Sequence, residues 1–188
     1  FMLADGYQGK MREPVTLYDP ASRGITMVPT TTALRAPGVI GVDREATHLR
    51  NTFNLEEELM EVLDKYQEEY ERISPEIEEY LEYKAEDAEI LIIAHGIVAR
   101  SAMTAVDELR AKGIKAGLFR PITIRPLPVN PMRAAVKRAR KVLFTESANG
   151  QLAQMCLEKL YGLTTPYETL FKMGVGVTGD DIVAKVEA

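Results

Sequence analysis

His95, Arg120 and Glu146 are the residues whose types and positions best suit them to chemistry in this chain of 188 residues. Each follows an apolar run where a strand should end: His95-Gly96 after ILIIA, Arg120-Pro121 after AGLF, Glu146 after KVLFT. An imidazole titrates near neutrality, so His95 can shuttle a proton or contact a phosphate. No second histidine is near in sequence, and a histidine satisfied at a sheet edge or against a neighbouring domain is the expectation. A carboxylate at the end of a buried strand must find partners or lose its solvation. Glu146 therefore either accepts from the N–H groups of a following helix or pairs with Arg120 or Arg125, and the ion pair is the expectation. Asn149-Gly150 is a turn pair, and the N–H groups that follow can hold an anion at a helix start. His95, Gly96, Glu146, Asn149, Gly150 and Gln151 are thus the strand-end candidates for contact with a cofactor, and no residue is assigned a catalytic or metal-ligating role.

The remaining motifs carry less. Cys156 falls on the apolar stripe of its helix and reads as an inert buried thiol. Gly174, Gly176 and Gly179 do not make a dinucleotide fingerprint, which must sit between a first strand and its helix. The sequence contains no P-loop, no nucleophile elbow, no metal-ligand spacing and no His–Asp–Ser arrangement.

The stretch 88–151 must position the candidates. It alternates an apolar strand at 90–94, a helix with Ile97, Met103, Val106 and Leu109 ended by Gly113, a second strand into RPITIRPLP, a helix over NPMRAAVKRAR, and a third strand at 141–146. The continuous apolar run at 90–94 suits a parallel strand covered on both faces. The alternation predicts a three-layer α/β/α domain with a mostly parallel sheet and right-handed crossovers. In such sheets ligands bind beyond the carboxyl ends of the strands, where the candidates fall. Thr169 to Gly174 is expected as a fourth strand, and a short C-terminal helix should start near Asp180.

Upstream, residues 5–50 are rich in Gly, Pro, Thr and Asp, with turn signals at Arg12-Glu-Pro-Val15 and Ala36-Pro-Gly38. A structureless stretch this long reads as an interdomain linker. Phe1-Met-Leu-Ala4 looks like a strand cut from a larger sheet, so the chain is expected to be truncated. Asn54 and Glu57 have capping-box spacing ahead of an apolar stripe through Leu55, Leu59, Val62, Leu63, Tyr66, Tyr70 and Ile73, with Pro75 breaking or kinking it. A second amphipathic turn is expected through Ile77, Tyr80, Leu81 and Tyr83. From Leu55 to Glu89 there are 15 acidic and three basic residues, a net of −12; the whole chain is −5, so the remainder carries +7. Such an arm either docks on a basic partner or is a solvated helix face, and the solvated face is the expectation.

Composition bounds the rest. A net charge of −5 gives no basic footprint for nucleic acid. No apolar run approaches the ~20 residues that span a bilayer. A single cysteine excludes an intrachain disulfide and points to a reducing, cytoplasmic setting.

The central stretch resembles the C-terminal domain of transketolase-like thiamine diphosphate enzymes. The likeness lies in His95-Gly96, Ala105-Val-Asp-Glu-Leu-Arg110, Gly113-Ile114, Phe119-Arg-Pro-Ile-Thr-Ile-Arg-Pro-Leu-Pro128 and Val142-Leu-Phe-Thr-Glu146. Leu3-Ala-Asp-Gly-Tyr-Gln-Gly-Lys-Met-Arg-Glu-Pro-Val15 and Asn149-Gly-Gln151 are similar to α chains of 2-oxoacid:ferredoxin oxidoreductases. The resemblance implies coenzyme A-dependent oxidative decarboxylation of a 2-oxoacid, with electrons passing to ferredoxin. It places thiamine diphosphate, magnesium and iron–sulfur clusters largely in other chains or domains, with none in this fragment. It also implies β (and γ or δ) subunits as partners, a homo-oligomer, and a structural, assembly role without activity for the fragment alone. On this reading residues 1–17 end a pyrimidine-binding domain, 18–85 form a linker with an acidic helix, and 86–188 form the transketolase C-terminal-like domain. The alternatives are the matching domain of a transketolase or a 2-oxoacid dehydrogenase E1 β chain, and a stand-alone protein-binding α/β module.

Overall fold

A computed structural model describes residues 3, 6, 8–10, 12, 14–26 and 52–188. The expected strand at Phe1–Ala4 and the turn at Ala36-Pro-Gly38 lie outside the described residues, apart from Leu3. The chain forms two compact units, one of Phe1–Met11 with Glu71–Ala188 and one of Arg12–Tyr70.

In the smaller unit, Asp19 caps a 3₁₀ turn at Pro20–Arg23: its side chain accepts from Ala21 N–H at 3.2 Å, and Gly24 ends the turn at φ +69°. Arg23 lies over the Tyr18 ring, 4.2 Å from its centroid. Helix α1 (Glu56–Ile77) starts in this unit and ends in the larger one. Three glutamates in its first turn favour the helix dipole. Pro75 sits inside the helix and α1 runs on to Ile77. No residue of α1 is buried, and Leu59, Leu63 and Tyr66 of the apolar stripe are exposed.

The larger unit is a five-stranded sheet between helices. In chain order it contains β1 (Tyr80–Tyr83), β2 (Ile90–Ile93), α2 (Gly96–Ala111), β3 (Ala116–Pro121), α3 (Val129–Arg138), β4 (Lys141–Glu146), α4 (Gln151–Lys159), β5 (Tyr167–Phe171) and α5 (Gly179–Glu187). The strand order is β1-β3-β2-β4-β5, with β1 antiparallel to β3 and every other pair parallel. The expected amphipathic turn at 77–83 is therefore corrected in part: Tyr80 to Tyr83 form an edge strand. Four residues are too few to separate a period of 2 from one of 3.6. The fourth parallel strand is Tyr167–Phe171, two residues upstream of its expected start, because turn signals at Gly174 and Gly176 do not mark where pairing stops.

Alternate side chains of each strand feed two cores. Leu91, Ile93, Phe119, Val142 and Phe144 pack against Met132, Val136, Leu152, Cys156 and Leu160 of α3, α4 and the residue after α4. Ile92, Ala94, Leu118 and Leu143 pack against Val98, Ala102, Val106, Leu109, Ile182 and Val183 of α2 and α5. The result is the expected three-layer α/β/α architecture. Helix α5 is held at its start by a reciprocal capping box between Thr178 and Asp181, and Lys172 pairs with Asp181 at 2.8 Å.

One latch fixes the approach to β2. Arg110 donates to Ala116 C=O at 2.6 Å and to Lys84 C=O at 2.7 Å, and pairs with Asp87 at 2.6 Å. The Lys84 carbonyl and Ala85 lie directly against Gly117 of β3, leaving no space for a side chain there.

Cys156 is fully buried in the core against α3. Burial, with a further push from the Glu146 carboxylate, raises its thiol to about 12. The thiolate is the reactive form, so Cys156 should not react with Ellman's reagent at pH 8 in the folded protein. It should react stoichiometrically once urea unfolds the chain; prompt labelling without denaturant overturns this.

Candidate functional site

The connections leave β2 and β4 in opposite directions. Helix α2 follows β2 on one face and returns to β3 on one side; α4 follows β4 on the other face and returns to β5 on the other side. Between the carboxyl ends of β2 and β4 lies the topological switch point, where α/β sheets open a crevice. His95, Arg120 and Glu146 stand at or just past the ends of β2, β3 and β4, as the sequence predicts.

Glu146 does not form the expected ion pair with Arg120. It is 2% exposed, and its two oxygens accept from the N–H groups of Leu152 at 3.1 Å and Ala153 at 3.2 Å. Those donors belong to the first turn of α4, which has no partner for them within the helix. A carboxylate there also meets the positive end of the helix dipole. The strand thus supplies the cap of its own following helix, and this use outcompetes a guanidinium on β3. The N–H groups that could hold an anion are engaged in the same way: Gln151 Oε1 accepts from Asn149 N–H at 2.8 Å, and Glu146 takes those of Leu152 and Ala153. Gly150 adopts φ +85°, which favours glycine, and a Cβ there would meet the Phe171 ring at 3.0 Å.

His95 is the N-cap residue of α2, but its side chain makes no capping bond. Gly96 follows with φ +55°. Burial holds the imidazole below its ordinary value of 6.5; the Glu146 carboxylate opposes this and Arg120 reinforces it. The unfolded chain therefore binds this proton more readily than the folded one. Stability is fully present above pH 6.5 and is lost as the pH falls from there toward the folded value. His95→Gln should lose less stability than the parent between pH 7.5 and pH 5, measured by urea unfolding at each pH. Parallel losses in the two proteins would contradict the burial of a neutral imidazole.

On the α2/α5 face the crevice widens to a cavity of about 550 Å³, lined by Ile97, Val98, Ser101, Ser147, Gly174, Val175, Gly176 and Val177. A second cleft of about 620 Å³ lies at the amino ends of β4 and β5, among Val136, Leu157, Tyr161 and Thr165, away from all the strand-end candidates. Sequence reasoning missed Ser101, Thr145 and Ser147. The signal was present in KVLFTES, whose alternation puts Thr145 and Ser147 on the face of Leu143. Among the described residues no group of three or more His, Cys, Asp or Glu side chains is arranged to hold a metal ion, and no helix is long and apolar enough to cross a membrane.

Fold and site together define a doubly wound α/β domain with its crevice at the strands' carboxyl ends. Residues 88–185, just over half of the sequence, match the family model of pyruvate:ferredoxin oxidoreductase core domain II, and the chain belongs to that family. It is 34% identical over 154 residues to the ketoisovalerate oxidoreductase subunit VorB of Methanothermobacter marburgensis, a match covering 81% of this chain and 42% of that protein. The chain therefore spans less than half the length of that relative. It is 38% identical over 89 residues to the 2-oxoglutarate synthase subunit KorA of Methanothermobacter thermautotrophicus, covering 47% of this chain and 23% of that one. A solved 2-oxoglutarate:ferredoxin oxidoreductase from Magnetococcus marinus, with 2-oxoglutarate, coenzyme A and succinyl-CoA bound, matches 81% of this chain and 28% of its own at a TM-score of 0.60. At 22% identity that likeness is one of fold.

Proposed function

We propose that the chain is the C-terminal part of the α subunit of a thiamine diphosphate-dependent 2-oxoacid:ferredoxin oxidoreductase. The observation that carries this is the family match over 88–185, joined by similarity to subunits of ketoisovalerate and 2-oxoglutarate enzymes. The proposed reaction is oxidative decarboxylation of a 2-oxoacid to an acyl-CoA, with electrons passing to ferredoxin. The α assignment rests on the likeness of residues 3–15 to α chains.

Within the complex this lobe has a structural and assembly role and is inactive alone. Glu146 spends both oxygens on α4, and Cys156 is a buried thiol raised to about 12, so neither is free to ligate a metal or a cluster. Thiamine diphosphate, magnesium, iron–sulfur clusters and coenzyme A are proposed to lie largely in other chains or domains, as the resemblance implies. His95, Gly96, Glu146, Asn149, Gly150 and Gln151 are proposed as the rim that faces the cofactor-bearing part of the complex. Residues 1–17 are proposed as the end of a pyrimidine-binding domain and 18–85 as the linker, which also contributes β1 to the sheet of 86–188. Partners are the β subunit, further small subunits and a second copy of the α chain, in the cytoplasm.

The test is to isolate the complex through a tag on this chain and assay 2-oxoacid- and coenzyme A-dependent reduction of methyl viologen. Activity is expected in the complex and none in the isolated chain. Turnover by the isolated chain, or a tagged complex without any 2-oxoacid-dependent reduction, would falsify the proposal.

A further inference from the structure

Helix α1 carries an apolar stripe that the described residues leave largely uncovered. Leu59, Val62, Leu63, Tyr66, Tyr70 and Ile73 recur every three or four residues along it, yet no residue of α1 is buried. Leu63 is 54% exposed and Tyr66 is 62% exposed. Most helical stability in proteins comes from packing such a face, so a bare stripe of this length marks an interaction surface. The rest of α1 is acidic, with nine acidic and two basic residues, a net of −7. Two α1 helices laid side by side would set two such charges against each other. The complementary surface is therefore apolar and basic.

The α/β lobe presents such a surface. The cleft of about 620 Å³ at the amino ends of β4 and β5 is lined by Val136, Leu157, Leu160, Leu163, Tyr161 and Tyr167, and both tyrosines are exposed. Its α3 wall is basic: Val129 to Lys141 contains five Arg and Lys residues and no acidic one. Arg133 closes the lip by donating to the Lys159 and Tyr161 carbonyls at 2.6 and 3.1 Å, acceptors that leave its charge in place. Lys137, next to Val136, is exposed and has no carboxylate partner among the described residues. The path of the chain separates α1 from the cleft of its own copy. Two residues join Ile77 to β1, and the Glu79 carbonyl takes the Ile122 and Thr123 amides, so α1 ends at the carboxyl rim. The cleft opens at the amino ends, near the edge of the sheet opposite β1. A second copy offers the same cleft without that constraint.

We propose that the chain forms a two-fold dimer in which the α1 stripe of each copy seats in the β4/β5 cleft of the other. The acidic flanks of α1 then face the basic wall of α3, and the two-fold axis makes the contact twice. This gives a surface to the second copy named among the partners above and rests on that partner reading alone. Its readout is size and not turnover, so its failure is distinguishable from failure of the oxidoreductase assignment.

The test is sedimentation velocity of the 188-residue chain over a range of concentrations. A dimer is expected, and it should weaken in high salt as the flanking charges are screened. Leu63→Asp puts a carboxylate on the stripe, and Tyr161→Asp puts one in the cleft. Both positions are exposed, and circular dichroism should show the fold of the parent in each. Each variant alone should weaken dimerisation by about tenfold or more, as loss of a central interface anchor does. An equimolar mixture of the two should recover dimers, because the Tyr161→Asp copy keeps a sound stripe and the Leu63→Asp copy keeps a sound cleft. A monomeric parent, a dimer that survives either variant, or a mixture that stays monomeric overturns the proposal.

Discussion

Glu146→Ala is expected to lower the unfolding free energy by about 3 kcal/mol and to fray α4, although no residue of the sheet is otherwise altered. The substitution leaves two buried N–H groups, those of Leu152 and Ala153, without acceptors. Each such group costs roughly 1–3 kcal/mol, and loss of a capping side chain alone costs about 1 kcal/mol. The truncated side chain also leaves a void beneath α4. Glu146→Gln should cost less, because the amide oxygen still accepts one bond and only the charge facing the helix dipole is lost. Chemical unfolding gives the energies, and amide exchange at Leu152 and Ala153 gives the locality. If alanine unfolds within about 0.5 kcal/mol of the parent, the carboxylate is not a cap and a role in binding regains its claim on this residue.

Gly117→Ala is expected to be at least as damaging, at about 3 kcal/mol or more, for a steric reason. An ideal Cβ at this position would lie 2.5 Å from the Lys84 carbonyl oxygen, 2.8 Å from Ala85 Cα and 2.8 Å from Ala88 Cβ. Two of those atoms are backbone, and the Lys84 carbonyl is held by Arg110 at 2.7 Å. The obstacle cannot rotate away, so β3 or the segment before β2 must shift, and overpacking of this kind costs about 1–3 kcal/mol even where side chains can yield. The chevron should show faster unfolding, with the m-value unchanged. A Gly117→Ala protein as stable as the parent would mean that the 84–88 segment is not packed on β3 as described.

The sheet was legible where strands are long and buried. The run ILII and the stretch KVLFTE carry apolar density that no helix of that length would need, and both strands fall where the residues place them. The edge was not legible. Tyr80 to Tyr83 is short and half exposed, and its pairing with β3 depends on residues forty positions away. At the site, the sequence located the strand ends and missed how they are used. Glu146 next to a helix start is compatible with a cap or an ion pair, and only the placement of the Leu152 and Ala153 N–H groups against its carboxylate decides between them. Thr145 shows the opposite failure: a threonine in an apolar strand looks like ordinary β-propensity, and its lack of a partner is visible only in space.

The reversed first strand has a practical corollary. Because β1 runs against β3, Tyr80 pairs with Pro121, and the Glu79 carbonyl takes the Ile122 and Thr123 amides at 2.9 and 3.0 Å. The polypeptide thus comes in at the rim on which the other strands finish. At the far pole Lys112, closing α2, grips Glu187 at 2.8 Å, so the chain leaves from the base. A bulky label fused after Ala188 consequently stands clear of the crevice, whereas a crosslinker anchored at Glu79 works within reach of its mouth.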